Sequence, residues 1–183
     1  MLRVLDSRRY ERFVRRFTGV LRRGPARRFA PGAPPILATA PDLLETRYRR
    51  LRKGGDRIVP RTPAAEYHLL RIEAKRLRYC LEFVGPVYGK PATDFSVRLT
   101  ALQDLLGLHQ DADVAVAMLH DMAGSAGRRL GPETVLAMGA ISERYRVQAE
   151  DLRSKFPAVY RPLGGREWRA LRRLLESRRP ATP

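Results

Sequence analysis

Within residues 66–82, EYHLLRIEAKRLRYCLE, a histidine and several cations recur at helical spacing. At about 100° per residue, His68, Arg71, Lys75, Arg78 and Glu82 fall within roughly one 80° arc. From His68 to Arg78 the stripe spans about 15 Å at 1.5 Å per residue. Guanidinium forks grip phosphate oxygens in a bidentate way, and a histidine adds a pH-sensitive donor. Four basic groups on one arc are costly to desolvate unless an anion or carboxylates meet them. The length of the stripe suits a linear polyanion better than a small ligand. In the competing reading, Glu66, Glu73 and Glu82 neutralise these groups through neighbouring-turn pairs. They are only three carboxylates, and Glu73 projects to another side, toward Arg76.

The remaining circumference of this helix is largely apolar. Leu69, Leu70, Leu77, Cys80, Leu81 and Val84 fill much of it, with Ile72, Tyr79 and Phe83 flanking the stripe. The expectation is a helix packed on several sides whose stripe opens into a groove, with Tyr79 supporting the packing. In the preceding LLETRYRRLRK segment, Leu44, Tyr48 and Leu51 form the core stripe, and Arg47 and Arg50 border it. These two are expected to enter the same groove, while Arg49, Arg52 and Lys53 face solvent. Arg9, Arg12 and Arg16 read mainly as a solvated face. HQDAD at 109–113 offers His109, Asp111 and Asp113 as metal ligands. Helix capping by Asp111, with Asp113 at the positive end, is the stronger reading. No nucleophile–base pair, phosphate-cradling glycine loop or zinc spacing occurs, so neither an enzyme nor a cofactor is expected.

The elements that must carry these residues are helical. Residues 6–23 hold a stripe of Tyr10, Phe13, Val14, Phe17, Val20 and Leu21, with Asp6 or Ser7 as cap. Residues 24–41 contain five prolines and read as a connection. A second helix is expected from Pro41 or Asp42 to Lys53, and a third from about Pro63 to Phe83, broken by VGPVYGKP. A fourth runs from Ala92 to Leu106, interrupted at Gly107 and recapped at Asp111 through Met122. A fifth starts at Pro132 and reaches about Phe156. A last short helix after Gly164-Gly165 carries Trp168, read as packed, with an anionic-membrane or nucleic-acid contact as the alternative. No strand alternation is evident. The fold class is all-α, an antiparallel bundle of about five to six helices. The domain reading is 1–40 as helix plus connection, 41–177 as bundle and 178–183 as a disordered tail.

Of 183 residues, 36 are basic and 19 acidic, a net +17, and only four of the basic residues are lysine. Such charge implies an anionic partner: a polyanion, nucleic acid or an anionic membrane. It is also segregated. Residues 91–123 hold one basic and five acidic residues; 47–61 hold seven basic and one acidic. Cys80 stands alone and reads as a small hydrophobe, which favours a reducing, cytoplasmic setting. There is no apolar N-terminal run of a signal peptide and no span of about 18 apolar residues.

YHLLRIEAKRLRYCLE, followed by LTALQDLLGLHQDADVAVAML, resembles the CHAD domain, the conserved histidine α-helical domain. His68, Arg71, Lys75, Arg76, Arg78 and Tyr79 match its first motif. Leu102, Gln103, Asp104, Leu106, Gly107 and Asp111 match its second, and the likeness covers roughly residues 41–156. The family has two similar four-helix bundles around a basic channel, binds inorganic polyphosphate, and often accompanies triphosphate-processing CYTH domains. The resemblance therefore implies non-catalytic polyphosphate binding, free or in granules, by His68, Arg71, Lys75 and Arg78, then Arg47, Arg50 and Arg76. The alternatives are a general nucleic-acid binder or an accessory module of a phosphate-processing enzyme. Only one His/Arg helix is present, and residues 6–23 look like the last helix of a missing first half. A homodimer pairing two such halves would rebuild the channel.

Overall fold

The computed structural model describes residues 2–23, 35–126 and 129–180. Among them the secondary structure is helical and no strand occurs, the all-α class expected. Two units divide the chain, Met1–Pro35 and Ile36–Pro183.

The first unit holds a single-turn α1, Leu2–Leu5, and α2, Arg8–Arg23. Ser7 is the cap: its Oγ accepts the Tyr10 N–H at 3.2 Å. The apolar stripe of α2 forms as predicted, but Phe13, Phe17, Val20 and Leu21 are each more than half exposed.

The second unit contains α3 (Ile36–Gly55), α4 (Ala64–Tyr88), α5 (Lys90–Ala126), α6 (Pro132–Tyr160), a 3-10 turn (Arg161–Gly164) and α7 (Arg166–Ser177). On α4 the buried residues are Tyr67, Leu70, Ala74, Leu77, Leu81, Val84 and Tyr88. Their alternating steps of three and four give the narrow seam of an antiparallel pair. α5 answers with Ala92, Phe95, Leu99, Leu102, Leu106 and His109 in the same rhythm. α3 closes one side through Leu44 and Leu51, and α7 docks through Trp168, Leu171 and Leu175. Trp168 stacks on Tyr48 with centroids 3.7 Å apart, so it is a packing residue. Cys80 is half-buried against this core.

Several boundaries differ from expectation. α3 begins at Ile36, with Pro41 buried inside it, so residues 36–41 are helix rather than connection. Residues 24–34 lie outside the described residues. α4 runs through Pro86 to Tyr88 and ends at Gly89, whose φ of 58° is left-handed. α5 is continuous over 37 residues. Gly107 does not interrupt it, and Asp111 is an exposed mid-helix residue rather than a cap. Packing on both faces overrides the local cost of one glycine. α6 continues past Phe156 to Tyr160. The expected disorder does not include Arg178 and Arg179. Arg178 donates to the Val87 carbonyl, and Arg179 Nη2 donates to Asp42 Oδ1 at 2.6 Å. Residues 181–183 lie outside the described residues.

Candidate polyanion-binding face

The stripe lies on the flank of α4 that meets α5. Arg71 packs over Gly107: a Cβ there would sit 3.7 Å from Arg71 Nε, so the missing side chain leaves room for the guanidinium. Arg71 Nε is enclosed and meets no acceptor among the described residues. An enclosed donor without a partner costs about 1–3 kcal/mol, which an arriving anion would recover. One turn along, Gln103 Nε2 donates to the Ala74 carbonyl at 3.3 Å, while its Oε1 accepts Arg78 Nε at 3.0 Å. Gln103 thereby fixes the Arg78 fork, whose Nη1 donates to Glu82 at 2.6 Å. The Gln and Gly of the LQDLLG segment are thus the parts that seat two stripe arginines on α5. Their place in the motif was legible, but not this role, because it depends on the α4–α5 register.

Among the described residues, carboxylate neutralisation of the stripe is confined to Arg78. Arg76 pairs with Glu73 at 2.5 Å, away from the stripe. Among the described residues, His68, Arg71 and Lys75 are in no ion pair. Lys75 and Arg78 instead stand over the Tyr79 ring, 5.8 and 5.1 Å from its centroid. Tyr79 is 52% exposed and Phe83 78%. The expected burial of α4 on several sides is therefore corrected: its outer side, with Leu69, Tyr79 and Phe83, is open. Tyr79 aligns cations rather than filling core.

Arg50 does not join this flank. With Lys53 and Arg57 it lines a cleft of about 250 Å³ against Glu66, Leu69 and Glu73, on the other side of α4. Arg47, one turn before it on α3, has its Nε enclosed with no acceptor among the described residues. The sequence placed Arg50 in the stripe's groove, but helix phase alone cannot say which flank of α4 it meets. In the first unit, Arg9, Arg12 and Arg16 line an open cleft of about 640 Å³ with Phe13, Phe17 and Val20.

His109 is buried at the centre of a separate cluster. Its ring stacks on Tyr67 at 4.6 Å, and its Nε2 accepts Arg153 Nε at 3.0 Å. Arg153 also covers the Tyr67 ring and reaches the Pro60 carbonyl. Burial lowers the His109 pKa, the neighbouring Arg153 lowers it further, and Asp113 opposes them. An acceptor for arginine cannot also carry a proton on Nε2, so this histidine is structural. Among the described residues no group of three His, Cys, Asp or Glu is placed to hold a metal ion. No helix among them is long and apolar enough to cross a membrane.

A helical unit with a His/Arg stripe seated on a Gln–Gly segment defines the class of protein. The family profile of the CHAD domain matches residues 1–120, about two thirds of the chain. This protein belongs to the CHAD domain family. The match takes in α1 to α4 and most of α5, and so includes the N-terminal 40 residues that the sequence likeness left out. No curated protein matches the chain.

Proposed function

We propose that the protein binds inorganic polyphosphate, without turning it over, along the α4–α5 flank. The observation that carries this reading is Arg71: seated in the Gly107 gap, its Nε lacks an acceptor among the described residues. Lys75 and His68 extend the row along α4, and Arg78 is held ready by Gln103. Membership in a family associated with polyphosphate supports the choice of polyanion. Arg76, neutralised by Glu73, and Arg47 are secondary, and Arg50 serves the opposite flank of α4. All four primary groups sit on one helix, so binding needs no second chain. The single Cys80 fits action in the cytoplasm. Phosphate recognition with counterion release makes affinity fall steeply with salt.

The test is a binding titration with long-chain polyphosphate. Arg71→Ala/Lys75→Ala is expected to weaken binding at least about tenfold and flatten its salt slope by about one to two, with circular dichroism unchanged. Unchanged affinity in that variant would refute the site.

The exposed Tyr79 and Phe83 beside the cations favour a second reading, a single-stranded nucleic acid stacked on aromatic faces. Competition decides. Polyphosphate displacing an oligonucleotide far better than the reverse, at equal phosphate, supports the first reading. Loss of oligonucleotide binding in Tyr79→Ala/Phe83→Ala, with the oligonucleotide the stronger competitor, supports the second.

A further inference from the structure

Two open faces of this chain match each other. On α2, Tyr10, Phe13, Val14, Phe17, Val20 and Leu21 occupy an arc of about 120° and are all exposed. The rest of the helix carries seven arginines against one acid, Glu11. Among the described residues none of those arginines is in an ion pair.

The complementary face is the distal part of α5. After Arg98, to the end of α5 at Ala126, there is no lysine or arginine. Along one exposed face Asp104, Asp111 and Asp121 are interspersed with Leu108, Val114 and Met118. Leu108 and Met118 are half exposed or more. None of these aspartates is in an ion pair among the described residues.

We propose that α2 of one copy lies along this α5 face of a second copy, with reciprocal exchange closing a two-fold dimer. Apolar stripe would meet apolar row, and arginine would meet aspartate. Two α2 helices cannot cover one another in the same way. Arg9 and Arg16 border the apolar arc, so like charges would face each other across the seam. An anionic lipid surface would satisfy α2 but leave the α5 face open, and its aspartates would be repelled. A second copy of the chain covers both faces at once. The α5 face borders the His68–Arg78 stripe, because Gly107, over which Arg71 packs, lies between Asp104 and Asp111.

The test is mass by light scattering of the full chain, freed of nucleic acid and without polyphosphate. The expected result is twice the 20.8 kDa chain mass, with dissociation promoted by salt. Phe13→Ser/Phe17→Ser is expected to give monomer with unchanged helix content. Arg9→Glu/Arg16→Glu and Asp111→Arg/Asp121→Arg are each expected to weaken the dimer about tenfold or more, and mixing the two variants to restore association. A monomeric wild-type chain would overturn the proposal, as would a dimer insensitive to both charge reversals. Monomer that binds phosphatidylglycerol vesicles, and loses them in the Phe13/Phe17 variant, would assign α2 to a lipid surface and also overturn it.

Discussion

Replacing Gly107 separates geometry from charge on the α4–α5 flank. In Gly107→Ala the new methyl would lie 3.7 Å from Arg71 Nε and 3.8 Å from Nη2, ordinary contact distances. A glycine inside a helix costs about 0.8–1.0 kcal/mol relative to alanine. The alanine variant is therefore expected to be more stable by up to about 1 kcal/mol, a rise of about 2–4 °C in Tm for a chain of this size. Its polyphosphate affinity should match wild type. In Gly107→Leu the larger side chain needs the volume that the guanidinium occupies. Arg71 must leave its seat, although the net charge of +17 is untouched. Affinity should fall several-fold, and the salt slope should drop by about one if one phosphate contact is lost. Thermal unfolding and a polyphosphate titration at two salt concentrations measure both effects. A destabilised alanine variant would refute the packing argument. A leucine variant that binds like wild type would show that Arg71 need not sit in the Gly107 gap to bind.

His109 gives the protein a pH-dependent stability. Its folded pKa lies below the ordinary 6.5 because of burial first and Arg153 second, so in the acid window the unfolded chain binds more protons. The contribution is full above about pH 6.5 and is lost as the pH falls below it. Urea unfolding across that window should show the decline in wild type and a flatter profile in His109→Gln, whose amide oxygen still accepts from Arg153. Gly55 is a stricter glycine than Gly107, since any Cβ there would overlap the Tyr160 ring. That ring cannot swing away freely, because its hydroxyl donates to Asp56 Oδ1 at 2.9 Å and lies 3.1 Å from the Arg52 carbonyl oxygen. Gly55→Ala is expected to cost about 1–3 kcal/mol by urea unfolding.

Much of the fold was legible because helix periodicity is local. The stripe of α2, the start of α4 after Pro63 and the start of α6 at Pro132 all follow from residue types within a turn or two. The misses share a different origin. Gly107 and Asp111 carry the local signature of a helix break and a cap, yet the α5 core runs unbroken beneath them from Phe95 through His109 to Ala112. Pro86 has the signature of a stop, but α4 absorbs it in its last turn and ends at Gly89. For the candidate site, the arc of His68, Arg71, Lys75 and Arg78 was readable from spacing on one helix. Which helix it faces was not, because that depends on how α4 and α5 register against each other. The same gap explains why Arg50 was expected on the stripe's flank and why Tyr79, which flanks the arc, was expected to support packing rather than stand open beneath the cations.

The turn at Gly89 bears on how the molecule forms. One residue joins Tyr88 to Lys90, so α4 and α5 pair with almost no loop to close. Every contact that seats Arg71 on Gly107 and Arg78 on Gln103 lies within this hairpin. These contacts, 25 to 36 residues apart, form across a one-residue turn, whereas α3 must reach across to α7 at the far end. The cationic flank therefore belongs to a hairpin of two consecutive helices, and its arginines are seated once those two helices have met.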